Sequence, residues 1–202
     1  LCRFFSPLCF HPLLKTNNKY SATFGTATNF ETNARWGDKE PLLKITDFDL
    51  DTGRKTLTKI GLKENDWFVC VHVREGGYSP SDEHINSYKS PNIESYLPAI
   101  QYIIDQGGKC IRMGDKSMSS VPSMDGLIDY ALSSDKSDLM DIFLCSECLF
   151  FLGSASGLCE VSSIFGVPVA LTNMAPLSNL GRCRSDLSIP IIHSKSPHNN
   201  LI

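Results

Sequence analysis

The spacing of apolar residues changes repeatedly along the chain, and the changes predict an alternation of strands and helices. Trp67–Val73 is an unbroken β-branched and aromatic run, as expected of a strand buried on both faces. Ile93, Tyr96, Leu97, Ile100, Ile103 and Ile104 then form a helical stripe. Asn92 is its expected N-cap, and Gln106-Gly107-Gly108 its stop. Lys109–Met113 reads as a second, short strand, and Gly126–Leu132 as a short third strand or a helical turn. Ser137-Asp138 opens a helix through Leu139, Ile142, Phe143 and Cys145. Leu149–Leu152 is a compact strand, Leu158–Phe165 a helix stopped by Gly166, and Val167–Leu171 the next strand. Strands alternating with helices imply right-handed crossovers, hence a Rossmann-like α/β fold: a parallel sheet with helices on both faces.

Outside this alternation the pattern weakens. The 202 residues suffice for one large domain or two small ones. Residues 1–62 read as a partial N-terminal lobe and linker, 63–174 as the Rossmann-like domain, and 175–202 as a tail carrying Pro176, Pro190 and Pro197. Position 1 is not Met, so the chain is expected to be a fragment whose opening belongs to a partly missing lobe. Thr46–Asp66 is expected to be a short helix and a linker. Asp47, Asp49 and Asp51 alternate as in a calcium loop, but no Gly stands at the sixth position from Asp47 or Asp49, so they read as a solvated face.

Composition narrows the function classes. Hydrophobic residues at 42% and charged residues at 20% belong to an ordinary globular protein, and a net charge of -3 argues against a broad nucleic-acid-binding face. No run is apolar and long enough for a membrane helix, and the opening residues lack the layout of a signal peptide. The eight cysteines include Cys70, Cys110, Cys148 and Cys159 within apolar stretches, which suits reduced core thiols and a cytoplasmic location. Cys145-Ser-Glu-Cys148 has CxxC spacing without a second pair, which is weak ground for zinc or redox chemistry.

Three polar turns carry the candidate chemistry. They are His72-Val-Arg74-Glu75, Gly114-Asp115 and Ser154-Ala155-Ser156-Gly157, and each follows a predicted strand. In a parallel sheet all carboxyl ends lie on one side, so the turns should face a common crevice. Small residues let a backbone approach a ligand, and a helix starting near Leu158 would aim free N–H groups at an anion. Ser154 and Ser156 add hydroxyls, Arg74 a fork suited to phosphate oxygens, and Asp115 an acceptor for a sugar hydroxyl or base N–H. Taken singly, each piece has a plainer reading. Arg74 could cap a helix or pair with a carboxylate, Asp115 could be a turn residue, and His72 a satisfied core histidine. Taken together, they describe a site for a phosphorylated, hydroxyl-bearing ligand, and a nucleotide is the economical choice. No GxGxxG follows the first strand, no GxxxxGK[ST] exists and no GxSxG elbow is present, which disfavours NAD, FAD, a P-loop and an α/β-hydrolase.

The runs HVREGGY, NIESYLPAIQYI, CIRMGDKSM and DLMDIFLCSECLFFLGSASGLCEVSSIFGVP resemble the C-terminal, nucleotide-binding half of GT-B glycosyltransferases. More narrowly they resemble a bacterial glycosyltransferase family known mainly from genome sequences, and they are distantly similar to the α1,6- and protein O-fucosyltransferases. The likeness spans about Trp67–Asn173. It implies metal-independent, inverting transfer of a sugar from a nucleotide-diphosphate donor, GDP-linked in the fucosyltransferase-like case, to a glycan or other acceptor in polysaccharide assembly. Arg74 would then hold the diphosphate and stabilise the departing nucleotide, and His72 would support it or touch the phosphate. Asp115, with Gly114, would read the base or ribose, and Ser154, Ala155, Ser156 and Gly157 would line the phosphate and sugar. Asp141 matches a family Asp and is expected to be structural. Glu75-Gly76-Gly77 departs from the fucosyltransferase motif. The general base is left among Glu75, Asp82, Glu83 and His84, and no metal or other cofactor is expected. The alternatives are a nucleotide- or sugar-phosphate-binding module without turnover, or an epimerase-like nucleotide-sugar enzyme.

Overall fold

The computed structural model describes residues 39–41, 43–78, 81, 84, 87, 90–174 and 185–191. Six strands form one parallel sheet: β1 (Phe68–His72), β2 (Lys109–Arg112), β3 (Leu127–Ile128), β4 (Phe151–Gly153), β5 (Val169–Met174) and β6 (Leu187–Pro190). Their order across the sheet is β3-β2-β1-β4-β5-β6. Chain order thus runs outward in one direction from β1 and then in the other from β4, which is the Rossmann arrangement expected from the alternation.

All five residues of β1 are buried, and their alternation feeds two cores. Phe68 and Cys70 pack with Ile111, Met113 and Phe151 under three helices: α1 (Asp47–Lys59), α3 (Asp138–Glu147) and α4 (Gly157–Ile164). Val69, Val71 and Val73 face the other way, onto Tyr96, Ile100 and Ile103 of α2 (Leu97–Asp105) and the 3-10 turn Ile93–Tyr96 that leads into it. A strand with apolar side chains on both faces needs a helical layer on each side, and it has both.

Local chemistry sets the helix ends. Asn92 caps the 3-10 turn by accepting from Glu94 N–H at 2.9 Å. Ser137 Oγ accepts from Met140 N–H at 3.2 Å, with Asp138 and Asp141 in the first turn of α3, where carboxylates oppose the positive helix end. Thr46 caps α1, which lies before residue 62 yet packs Leu50 and Leu57 onto the α3–α4 core. β6, beyond residue 174, pairs with β5. Two elements outside 63–174 therefore share the core and the sheet.

Some predicted bounds shift. Gly126–Leu132 is both alternatives in succession, the strand β3 and then a 3-10 turn at Tyr130–Leu132. β4 starts at Phe151 rather than Leu149, whose side chain is exposed. β5 starts at Val169 rather than Val167, because Pro168 has no N–H for the ladder; its carbonyl still accepts from Phe151 N–H at 2.9 Å.

Candidate functional site

The strand order places the reversal between β1 and β4, the position where open α/β sheets leave a crevice at their carboxyl edge. Gly153 stands beside His72 in register. A Cβ on Gly153 would lie 1.9 Å from His72 O, so only glycine permits this approach. Just above, Ser154 ties the two strands: its N–H donates to His72 O at 3.0 Å, and its Oγ accepts from Arg74 N–H at 2.8 Å.

A cleft of about 570 Å³ opens there. Its walls are His72, Arg74 and Glu75 from the end of β1, Gly114, Asp115 and Met118 from the end of β2, and Ala155, Ser156, Gly157 and Leu158 at the start of α4. Lys136, Asp138 and Asp141 close it from the start of α3. The three predicted polar turns meet in one place. Ser154 differs from its neighbours: it is 1% exposed, does not line the cleft, and holds the backbone around it.

His72 is nearly buried, and its Nδ1 lies 3.1 Å from Met113 O. A carbonyl only accepts, so the neutral ring is assigned its hydrogen on Nδ1 and its lone pair on Nε2. Burial lowers the His72 pKa below its ordinary 6.5, helped by the Arg112 charge and opposed by the Met113 bond and by Asp115 and Glu75. A neutral imidazole with a bare Nε2 accepts a proton or a hydroxyl hydrogen; it does not donate to phosphate. The unfolded chain therefore binds the His72 proton more readily than the folded one. This contribution to stability is fully present above pH 6.5 and is lost as pH falls from there through the lower folded pKa. Urea midpoints measured between about pH 7.5 and 5 are expected to fall more steeply for the native chain than for His72→Asn. Parallel curves would show that His72 is not held neutral.

Arg74 is half-buried, and Nη1 donates to Ser90 Oγ at 3.0 Å. Asp115 accepts from Ser117 N–H at 2.8 Å, an Asx turn as in the plainer reading, while its side chain lines the cleft. Burial pushes its carboxyl pKa up, but the Ser117 hydrogen bonds together with nearby His72 and Lys136 outweigh that and hold it low. Gly114, with φ +148°, allows Met118 Sδ to come within 2.1 Å of where a Cβ would be. Ser156 caps α4, and its N–H and O close on Cys159 Sγ at 3.5 and 2.9 Å. Its Oγ is buried, and the hydroxyl hydrogen has no acceptor among the described residues.

Carboxylates outnumber cations on the cleft walls, but pairing cancels much of that excess. Asp141 takes Lys136 Nζ at 2.5 Å, and Lys136 also lies 5.3 Å from the Tyr130 ring centroid. Glu75 Oε1 accepts from Arg112 Nη2 at 2.7 Å and Oε2 from Ser119 N–H at 2.9 Å, so both oxygens are engaged. His84, another candidate base, is exposed and not on the cleft walls; Asp82 and Glu83 lie outside the described residues.

Lys136 and Arg112 are additions to the residues picked from sequence. A charged residue inside the apolar run of β2 was the available signal for Arg112, and a Lys just before the Ser137 cap was that for Lys136. The CxxC pair gains no function. Cys145 and Cys148 are free and buried, burial pushes the Cys145 thiol up to about 12, and no group of His, Cys, Asp or Glu among the described residues is placed to hold a metal. No helix among those residues is long and apolar enough to cross a membrane.

No protein-family model matches the chain, and no curated protein sequence does. Among solved structures it is similar to a glycosyl transferase family 9 protein from Veillonella parvula, with 13% identity over 74% of this chain and a TM-score of 0.49. It is also similar to the UDP-GlcNAc 2-epimerase of Methanocaldococcus jannaschii, solved with UDP-GlcNAc and UDP, with 13% identity over 73% of this chain and a TM-score of 0.33. The chain spans 41% of the first and 44% of the second.

Proposed function

We propose that the cleft binds a nucleoside-diphosphate sugar and that the chain is the donor-binding part of a glycosyltransferase. The supporting observation is the convergence at the sheet's reversal point of an arginine, a histidine assigned a bare Nε2, an acidic turn and a helix start whose serine hydroxyl hydrogen has no acceptor among the described residues. The diphosphate sits at the start of α4, where free N–H groups and Ser156 Oγ donate to it and Arg74 opposes its charge. Asp115 accepts from a ribose or base group at the other wall.

Transfer is a single displacement. The acceptor hydroxyl oxygen attacks the anomeric carbon, the bond from that carbon to the diphosphate oxygen breaks, and its electron pair leaves with the diphosphate. The hydroxyl proton passes to His72 Nε2, and the configuration inverts. Arg74 and the α4 N–H groups stabilise the charge on the leaving oxygen without needing a metal. A GDP-linked donor and a glycan acceptor are the fucosyltransferase-like form of this reading.

Thermal unfolding against GDP, UDP, CDP and ADP, each with magnesium or with chelator, tests it. One diphosphate at 100 times its Kd should add about 2.7 kcal/mol, a Tm rise of roughly 5 to 10 °C, equally in chelator. Gly157→Val provides the control for location. A Cβ there meets nothing within 4 Å, so the unliganded Tm should hold while the ligand shift disappears. No shift with any of the four would end the nucleotide reading, and a shift that needs magnesium would end metal independence.

A further inference from the structure

Arg112 is the last residue of β2 and is 1% exposed. β2 lies between β1 and β3, and the register that sets Ile111 beside Ile128 brings Asp129 alongside Arg112. Arg112 Nη1 donates to Asp129 Oδ1 at 3.0 Å and Oδ2 at 3.1 Å, and Nη2 to Glu75 Oε1 at 2.7 Å. Glu75 Oε2 accepts from Ser119 N–H at 2.9 Å. One guanidinium and two carboxylates thus join the carboxyl ends of three neighbouring strands, and Glu75 carries the link into the loop that bears Asp115. Glu75 follows Arg74 directly, so the Arg74 and Asp115 walls of the cleft hang on the same cluster.

A buried cation is a costly way to fill a core, because desolvation opposes it and an apolar side chain of similar size would serve packing as well. Here Nε has no hydrogen-bond partner among the described residues. What a planar fork supplies and an apolar side chain does not is a fixed distance between two carboxylates on opposite sides.

We propose that Arg112 is a positioning residue. With Glu75 and Asp129 it clamps the ends of β1, β2 and β3 and sets the spacing between the Arg74 wall and the Asp115 wall. Glu75 serves this clamp and takes no proton from substrate. The proposal rests on the cleft being a nucleotide-sugar site, and the test separates the two.

The test uses the whole chain as Glu75→Ala, Glu75→Gln and Arg112→Lys. Two quantities are read: hydrogen exchange at amides 74–78 and 115–119, and the Kd of the nucleoside diphosphate that raises the native Tm. Glu75→Ala should speed exchange in both loops about tenfold and weaken the nucleotide to a similar degree. Glu75→Gln keeps one acceptor oxygen and turns an NH2 toward the other donor, so both readings should fall between those of the native chain and Glu75→Ala. Arg112→Lys keeps the charge but loses the fork, so it should behave like Glu75→Ala. The clamp is overturned if exchange changes only at Ser119, if Arg112→Lys matches the native chain, or if Glu75→Gln abolishes sugar transfer while exchange and Kd stay native, which would make Glu75 the base. If no nucleotide binds the native chain, the cleft reading fails alone, and the exchange experiment still decides the clamp.

Discussion

Asp129→Ala is expected to destabilise the protein by about 3 to 5 kcal/mol, whereas Arg112→Met should cost less than about 2 kcal/mol. The asymmetry follows from what each change leaves behind. Asp129→Ala strips the doubly bonded carboxylate from a guanidinium that is 1% exposed, and Glu75 alone remains to balance it. Arg112→Met leaves two carboxylates that are 22% and 23% exposed, both able to draw water, and fills the space with an apolar chain of similar length. Buried guanidinium hydrogens left without acceptors cost more than carboxylates that water can reach. For a chain of this size the larger loss corresponds to a Tm fall on the order of 10 °C. Urea midpoints are the suitable check, since guanidinium would itself screen the pairs. If Asp129→Ala proved milder than Arg112→Met, Arg112 would not depend on the two Asp129 hydrogen bonds.

The clamp also marks the limit of what the sequence conveys. Parallel topology follows from the alternation of apolar runs, and parallel topology alone sends every strand end to one edge. His72, Asp115 and Ser156 could therefore be assigned to one cleft without knowing the strand order. Arg112 could not be paired in this way. Asp129 lies 17 residues beyond it and Glu75 37 residues before it, and only the register of β1, β2 and β3 brings them together. Ser154 shows the same limit at short range. In sequence it matches Ser156, yet it sits on the strand end and bonds inward while Ser156 begins the helix. β6 escaped notice because Leu187, Ser188, Ile189 and Pro190 make a short edge strand with exposed apolar side chains, a pattern that also fits a loop. The start of β4 misled because Leu149 continues an apolar run but is 57% exposed.

Arg74→Ala should leave the fold nearly intact and remove most sugar transfer. The backbone strap does not depend on the side chain, because Ser154 Oγ accepts from Arg74 N–H, which alanine also supplies. Losing the Nη1 bond to Ser90 at the half-buried rim should cost about 1 kcal/mol. The larger effect is in the transition state. In the proposed transfer, charge builds on the diphosphate oxygen as the anomeric bond breaks, and a donor aimed at that charge counts for more than it does toward the ground state. Removing one such donor costs about 3 to 4 kcal/mol, or roughly a hundredfold to a thousandfold in kcat. Arg74→Lys keeps the charge without the bidentate fork and should fall between the two. The measurement is the turnover of whichever diphosphate sugar the unfolding screen selects, read beside the urea midpoint of each variant. A large fall in kcat at an almost unchanged midpoint places Arg74 in the chemistry. Near-native kcat would leave the start of α4 to hold the leaving group alone, and equal losses in kcat and stability would make Arg74 a structural residue.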